Sequence, residues 1–219
     1  MNLTEICKAL ENESVTQVGF SNVSSALSQR YLHLPNAITL LFKLSEAIMD
    51  EVTDAPTYTY FQHYRTVNAF LDSRTLWLSE MLRRMGFKAF PIAASQSIPE
   101  MGSHAGAFQH KTAAHMAGLG WIGKSALFIS KDYGAGVRLA TVLTDMPLPF
   151  GQPMEQRCGS CNICVKRCPA QAIKGVNYSE GISREEMFDA AACSNYMKTA
   201  YQHIGRGAVC GLCVTSCPV

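Results

Sequence analysis

Eight of the nine cysteines fall between Cys158 and Cys217, and their spacing carries the most chemistry in this sequence. Cys158, Cys161 and Cys164 are each separated by two residues, Cys168 follows three further on, and Pro169 comes next. A run of this form holds a [4Fe–4S] cluster on its first three thiolates and sends the fourth to a second cluster. Closely spaced thiolates on a turn reach three corners of one cubane, and backbone N–H groups around the turn donate to its sulfides. The second run, Cys210, Cys213, Cys217 and Pro218, has Gly207 where its first cysteine would stand. Cys193, on a helix expected from about Arg184 to His203, is the available replacement. The exchange rule then puts Cys158, Cys161, Cys164 and Cys217 on one cluster, and Cys168, Cys193, Cys210 and Cys213 on the other. The competing use of eight thiolates is a pair of four-cysteine zinc sites, but zinc ribbons present paired knuckles far apart rather than three equally spaced cysteines ending in Cys-Pro. Cys7 stands alone and reads as a small buried hydrophobe.

The elements expected around these cysteines follow from hydrophobic period. Leu3 to Glu11 is a short helix, and Thr16 to Phe20 and Ala37 to Leu44 are strands. Tyr58 to Met85 is a long helix, with Phe61, Val67, Phe70, Leu71, Leu76, Leu78, Met81 and Leu82 at helical spacing, and Gly86 stops it. Phe87 to Ala93 resumes as a strand, 95 to 107 is a loop, and Gln109 to Ala117 is a helix broken by Gly118 to Gly123. Ala126 to Ser130 and Val137 to Thr144 form a hairpin-like pair of strands about the turn at Lys131 to Gly134. The alternation predicts an α+β fold with an α/β-type core. Three prolines at 147, 149 and 153 mark a boundary, giving a core over 1–152 and a ferredoxin-like double-cluster module over 153–219.

The chain has 219 residues, enough for one substantial core and one small module. A 47% hydrophobic and 16% charged composition with net charge +2 describes a compact globular chain. No Lys/Arg run forms an electrostatic stripe, so nucleic acid is not expected as a direct ligand. No apolar stretch approaches a membrane span and the N-terminus is no signal peptide, so a cytoplasmic location is expected. Cysteine crowding at short spacing in such a chain points to metal rather than disulfides.

Gly118-Leu119-Gly120-Trp121-Ile122-Gly123-Lys124-Ser125 satisfies both the dinucleotide fingerprint and the phosphate-cradling loop of nucleotide hydrolases. Both motifs need a strand entering and a helix leaving. Here a helix enters and a strand leaves, so neither applies. The glycines permit close approach of a ligand to backbone, or they form a tight turn with Trp121 and Ile122 filling the core.

With loop and cysteines in hand, residues from about His110 to Pro218 resemble the epoxyqueuosine reductase family and its relatives among the reductive dehalogenases. The matching stretches are Ala117 to Lys124, more loosely Arg138 to Leu148, and both cysteine runs. The resemblance implies a core similar to nitroreductase-like flavin and corrinoid proteins followed by a two-cluster module, with cobalamin over the core fed with electrons by the nearer cluster. The family's acidic proton donor upstream of the glycine loop has no counterpart: residues 102–111 read GSHAGAFQHK. The family's C-terminal extension towards transfer RNA also lies beyond Val219, so a smaller substrate is expected.

Clusters of this type pass single electrons, so substrate chemistry needs a partner or a second cofactor. The expected function is a reductase passing electrons from two [4Fe–4S] clusters to a corrinoid, or less readily a flavin, or to a small substrate in the core, supplied by an electron-donor protein of ferredoxin or flavodoxin type. His104 and His110 are candidates for proton delivery because imidazole titrates near neutrality. Lys111, Lys124 and Arg138, with Gly118, Gly120 and Gly123, are candidates for holding a cofactor phosphate or carboxylate. The alternative is a non-catalytic electron-transfer protein whose core docks a partner.

Overall fold

A computed structural model describes residues 3–98, 100, 104–207 and 209–219. Pro99 and residues 101–103, within the loop expected over 95–107, lie outside the described residues. The chain divides into two compact units. The first comprises residues 1–43, 67–120 and 138–154, and the second 44–66, 121–137 and 155–219. The cysteine-bearing segment thus begins near the proline-rich stretch, and two earlier segments are grouped with it.

The first unit is built on a four-stranded sheet of order β1-β2-β6-β3, from β1 (Gln17–Asn22), β2 (Asn36–Lys43), β3 (Ala89–Ile92) and β6 (Val137–Thr144). β1 and β2 pair antiparallel with Gln17 opposite Leu41, and β3 and β6 antiparallel with Ile92 opposite Thr141. β2 is an inner strand and is buried from Asn36 to Leu41, which accounts for its continuous apolar run. β3 lies at an edge, where Pro91 removes no donor from an inner ladder. Ile6 and Leu10 of α1 (Leu3–Asn12) are buried, and so are Val67, Leu71, Leu78 and Leu82, which share a face of α3 (Tyr58–Arg84).

Local chemistry ends the helices where the sequence suggested. Gly86 takes φ +91° and donates to the Arg83 carbonyl, while Phe87 N–H reaches Leu82, a full Schellman closure of α3. Gly118, at φ +72°, closes α4 (His110–Met116) in the same way through Gly118 to His115 and Leu119 to Ala114. α4 lies against β1 because Gly19 has no side chain: a Cβ there would stand 2.9 Å from the Ala117 methyl.

The second unit contains a two-stranded sheet of β4 (Gly120–Ile122) and β5 (Phe128–Ser130), and the helices α2 (Glu46–Asp50), α5 (Ile163–Arg167), α6 (Arg184–Met187), α7 (Ala190–Ala200) and α8 (Leu212–Thr215). Two expectations are corrected. The turn at Lys131 to Gly134 exists, closed by reciprocal bonds between Ser130 and Gly134, but β5 pairs with β4 while β6 enters the larger sheet. The single helix expected over 184–203 is two helices. Phe188 is extended and bridges Ile173, after which Asp189 starts a new helix by accepting from Ala192 N–H at 2.9 Å. Among the described residues no helix is long and apolar enough to cross a membrane.

Candidate metal centre

The eight clustered cysteines are free thiols in the second unit and fall into two electrostatic groups. Burial pushes the Cys164 thiol up, and Cys158, Cys217 and Cys161 push it further. Cys217 is raised by burial, with Cys158 and Cys161 adding to it. In the other group, burial raises Cys193 to about 11, with help from Cys168 and Cys210. Cys213 is raised by burial and then by Cys210, Cys193 and Cys168, with Cys164 contributing last. The thiols that act on one another are thus Cys158, Cys161, Cys164 and Cys217 in one group and Cys168, Cys193, Cys210 and Cys213 in the other. α5 and α8 touch, and each carries one thiol of the Cys164–Cys213 pair through which the sets meet.

Among the described residues no three His, Cys, Asp or Glu side chains converge on a single-ion position.

The surroundings of the first set fit a cluster in a second respect. Trp121 is 2% exposed and packs with Ile129, Ala135, Val214, Cys158 and Cys217. Its indole N–H has no partner among the described residues, and neither does the buried hydroxyl of Ser216, beside Cys217. Buried donors are ordinarily satisfied, and two orphans beside a thiol group mark a place for sulfur acceptors. Gly123 lets the Ile129 side chain pack closely on the loop: a Cβ there would stand 2.5 Å from Ile129 Cδ1 and 3.5 Å from Cys158 Sγ. Arg157 lies over the Trp121 ring at 5.6 Å from its centroid.

In the second set burial pushes the Cys210 thiol up, a hydrogen bond from the Tyr201 hydroxyl opposes that rise, and the Tyr201 phenol is itself pushed up chiefly by burial. Gly211, at φ +78°, lets Tyr60 press on the turn: an added Cβ would lie 2.9 Å from the phenol oxygen. None of Trp121, Ser216, Tyr60 or Tyr201 was singled out as a site residue by sequence reasoning. Only the inclusion of Trp121 in the glycine loop hinted at one of them.

The other expected site residues have different surroundings. His110 is part-buried, with Nδ1 2.9 Å from Thr141 Oγ1 and Nε2 2.9 Å from the Ala93 carbonyl. Desolvation carries its pKa down to about 4, so the ring is neutral near pH 7 and both nitrogens are engaged. It is a structural histidine here rather than a proton donor. His104 is exposed with φ +56°. Arg138 is committed to Asn68 Oδ1 at 3.0 Å and the Ala94 carbonyl at 3.1 Å. Lys111 occupies the first turn of α4.

Lys124 is 5% exposed and donates to Asn162 Oδ1 at 2.9 Å, tying the glycine loop to the first cysteine run. A Cβ on Gly118 would meet the Gln152 carbonyl at 2.5 Å, Gly120 is buried within β4, and Trp121 and Ile122 are each 2% exposed. The loop is therefore a packed helix stop rather than an open cradle, and α4 enters it while β4 leaves. The residues offered for a corrinoid do not fit that role in this arrangement.

Residues 157–219 match the 4Fe-4S double cluster binding domain. The chain is 33% identical over 144 residues to an epoxyqueuosine reductase of Synechocystis sp., covering 60% of this chain and 47% of that protein. It is 32% identical over 149 residues to the tetrachloroethene reductive dehalogenase of Sulfurospirillum multivorans, covering 65% of this chain and 28% of that one. It therefore spans less than half the length of these curated relatives.

Among solved structures, a catabolic reductive dehalogenase superposes with TM-score 0.71 at 18% identity, covering 93% of this chain and 30% of that one. An epoxyqueuosine reductase in complex with an epoxyqueuosine-modified tRNA stem loop superposes with TM-score 0.62 at 17% identity, covering 98% and 64%. These likenesses show a shared mixed helix and sheet fold.

Proposed function

Starting from the iron–sulfur family of epoxyqueuosine reductases and reductive dehalogenases, to which this chain belongs, we propose that it is a reductase. In this reading two [4Fe–4S] clusters bring electrons from a ferredoxin- or flavodoxin-type donor to an acceptor at the first unit. The observation that carries the proposal is the partition of eight thiols into two groups of four, linked through Cys164 and Cys213.

When bound, the clusters supply one-electron transfer at potentials set by their surroundings. The chain's own residues do the rest. Cys158, Cys161, Cys164 and Cys217 hold one cluster, and Cys168, Cys193, Cys210 and Cys213 the other. Tyr201 donates to Cys210. Lys124 and Asn162 hold the first cysteine run against the glycine loop.

A corrinoid as acceptor is supported by the dehalogenase relatives and not by Lys111, Lys124 or Arg138, so no step is assigned to it. The substrate is a modified RNA base or a small organic molecule, the two kinds represented among the relatives. The position of the family's acid holds no carboxylate, which favours the small molecule.

Anaerobic purification followed by iron, sulfide, zinc and cobalt analysis tests the reading. Roughly eight irons and eight sulfides per chain are expected. Cobalamin is then added under reducing conditions and the visible spectrum followed. A corrinoid response supports cobalamin as the acceptor. Clusters that show neither this response nor turnover of an epoxyqueuosine stem loop or an organohalide would make the chain an electron carrier. Zinc without sulfide would overturn the proposal.

A further inference from the structure

We infer that the indole N–H of Trp121 is a hydrogen-bond donor to the cluster held by Cys158, Cys161, Cys164 and Cys217, and that it sets this cluster's reduction potential above that of an undonated one. The inference rests on that ligand assignment. Trp121 is 2% exposed, and its Nε1 is a buried donor with no acceptor among the described residues. Buried donors of this kind are ordinarily paired, because leaving one without an acceptor is costly. Trp121 forms a buried cluster with Ile129 and Ala135, against which Cys158 and Cys217, two thiols of the set, are packed. No described atom accepts from it, and an inorganic sulfide of the cluster is the acceptor we assign to it.

The position is held from several sides. Trp121 lies in β4, paired with β5. Ile129 and Ala135 pack on the ring, and the Arg157 guanidinium caps it. Gly123 lets Ile129 pack closely against the loop beside Cys158. A donor fixed in this way stabilises the more negative, reduced cluster more than the oxidised one, because added charge on sulfur strengthens the hydrogen bond. The sequence motif around Trp121 then serves electron transfer rather than phosphate binding.

Trp121→Phe keeps the ring and removes the donor. In cluster-replete full-length protein, EPR-monitored redox titration should show one of two clusters harder to reduce. Its reduced-to-oxidised ratio at fixed potential should fall about tenfold, which is about 59 mV for one electron, while the other cluster does not move. Full clusters with both potentials unchanged overturn the inference.

A second measurement needs no change at Trp121. With Trp77→Phe, 15N-indole labelling leaves Trp121 as the labelled ring, and pulsed EPR of the reduced protein should detect its nitrogen coupled to the cluster spin. Absence of that coupling also overturns the inference. Failure of the ligand assignment looks different: iron and sulfide are then missing from the wild type itself.

Discussion

Replacing Cys193 by serine removes a ligand that no regular spacing announces, so it tests the thiol sets directly. The variant should retain about half the iron and sulfide of the wild type, with one EPR signal lost and the other kept. Cys7→Ser should leave both signals intact, because Cys7 belongs to the first unit and the eight clustered thiols to the second. His110 gives a pH signature of opposite character. Folding lowers its pKa from the ordinary value of 6.5 to about 4, so the unfolded chain takes up a proton that the native chain resists. Its contribution is complete above about pH 6.5 and is lost as pH falls toward 4, amounting to roughly 1–3 kcal/mol. Denaturant midpoints measured between pH 7 and 5 should fall less steeply in His110→Gln than in the wild type. The cysteine ligands were legible because cluster chemistry imposes short, regular spacing on the chain. The surrounding Trp121, Ser216 and Tyr201 were not, since what makes them relevant is a neighbour distant in sequence. Gly118 was misleading for a related reason: a glycine pattern does not say whether the space it leaves is taken by a ligand or, as here, by Gln152.

At the level of elements, hydrophobic period found α1, α3, α4 and the strands β1, β2, β3, β5 and β6, because each has a face or a whole length buried in one core. It failed where pairing partners decide. β5 joins β4 rather than β6, and Phe188 leaves the helix to bridge Ile173, choices set by tertiary contacts that no local pattern encodes. The short α2, α5 and α8 were missed because four or five residues carry too little periodicity to register. The C-terminal closure of α3 offers a clean test. Gly86 has φ +91° and open space around a hypothetical Cβ, so Gly86→Ala meets no clash and should cost only the left-handed backbone penalty, about 1 kcal/mol. A lowered Tm with unchanged iron content would match; an unchanged Tm would mean the closure contributes little.

Across the whole molecule, the chain passes between its two units five times, and the cluster-bearing unit is assembled from three separate stretches. Residues 155–219 obtain part of their core from Trp121, Ile122 and Ile129 on one stretch and from Phe61 on another. A fragment of residues 153–219 should therefore lose its iron and be cut readily by protease, while the full chain resists; a stable, cluster-replete fragment would contradict this. The exchange of ligands between the two runs also bears on synthesis. A nascent chain that has not yet reached Cys210 has three ligands for the first cluster and only Cys168 and Cys193 for the second. On the proposed ligand sets neither cluster can close before the second cysteine run has been made, so both prosthetic groups wait on the same segment, Cys210 to Cys217.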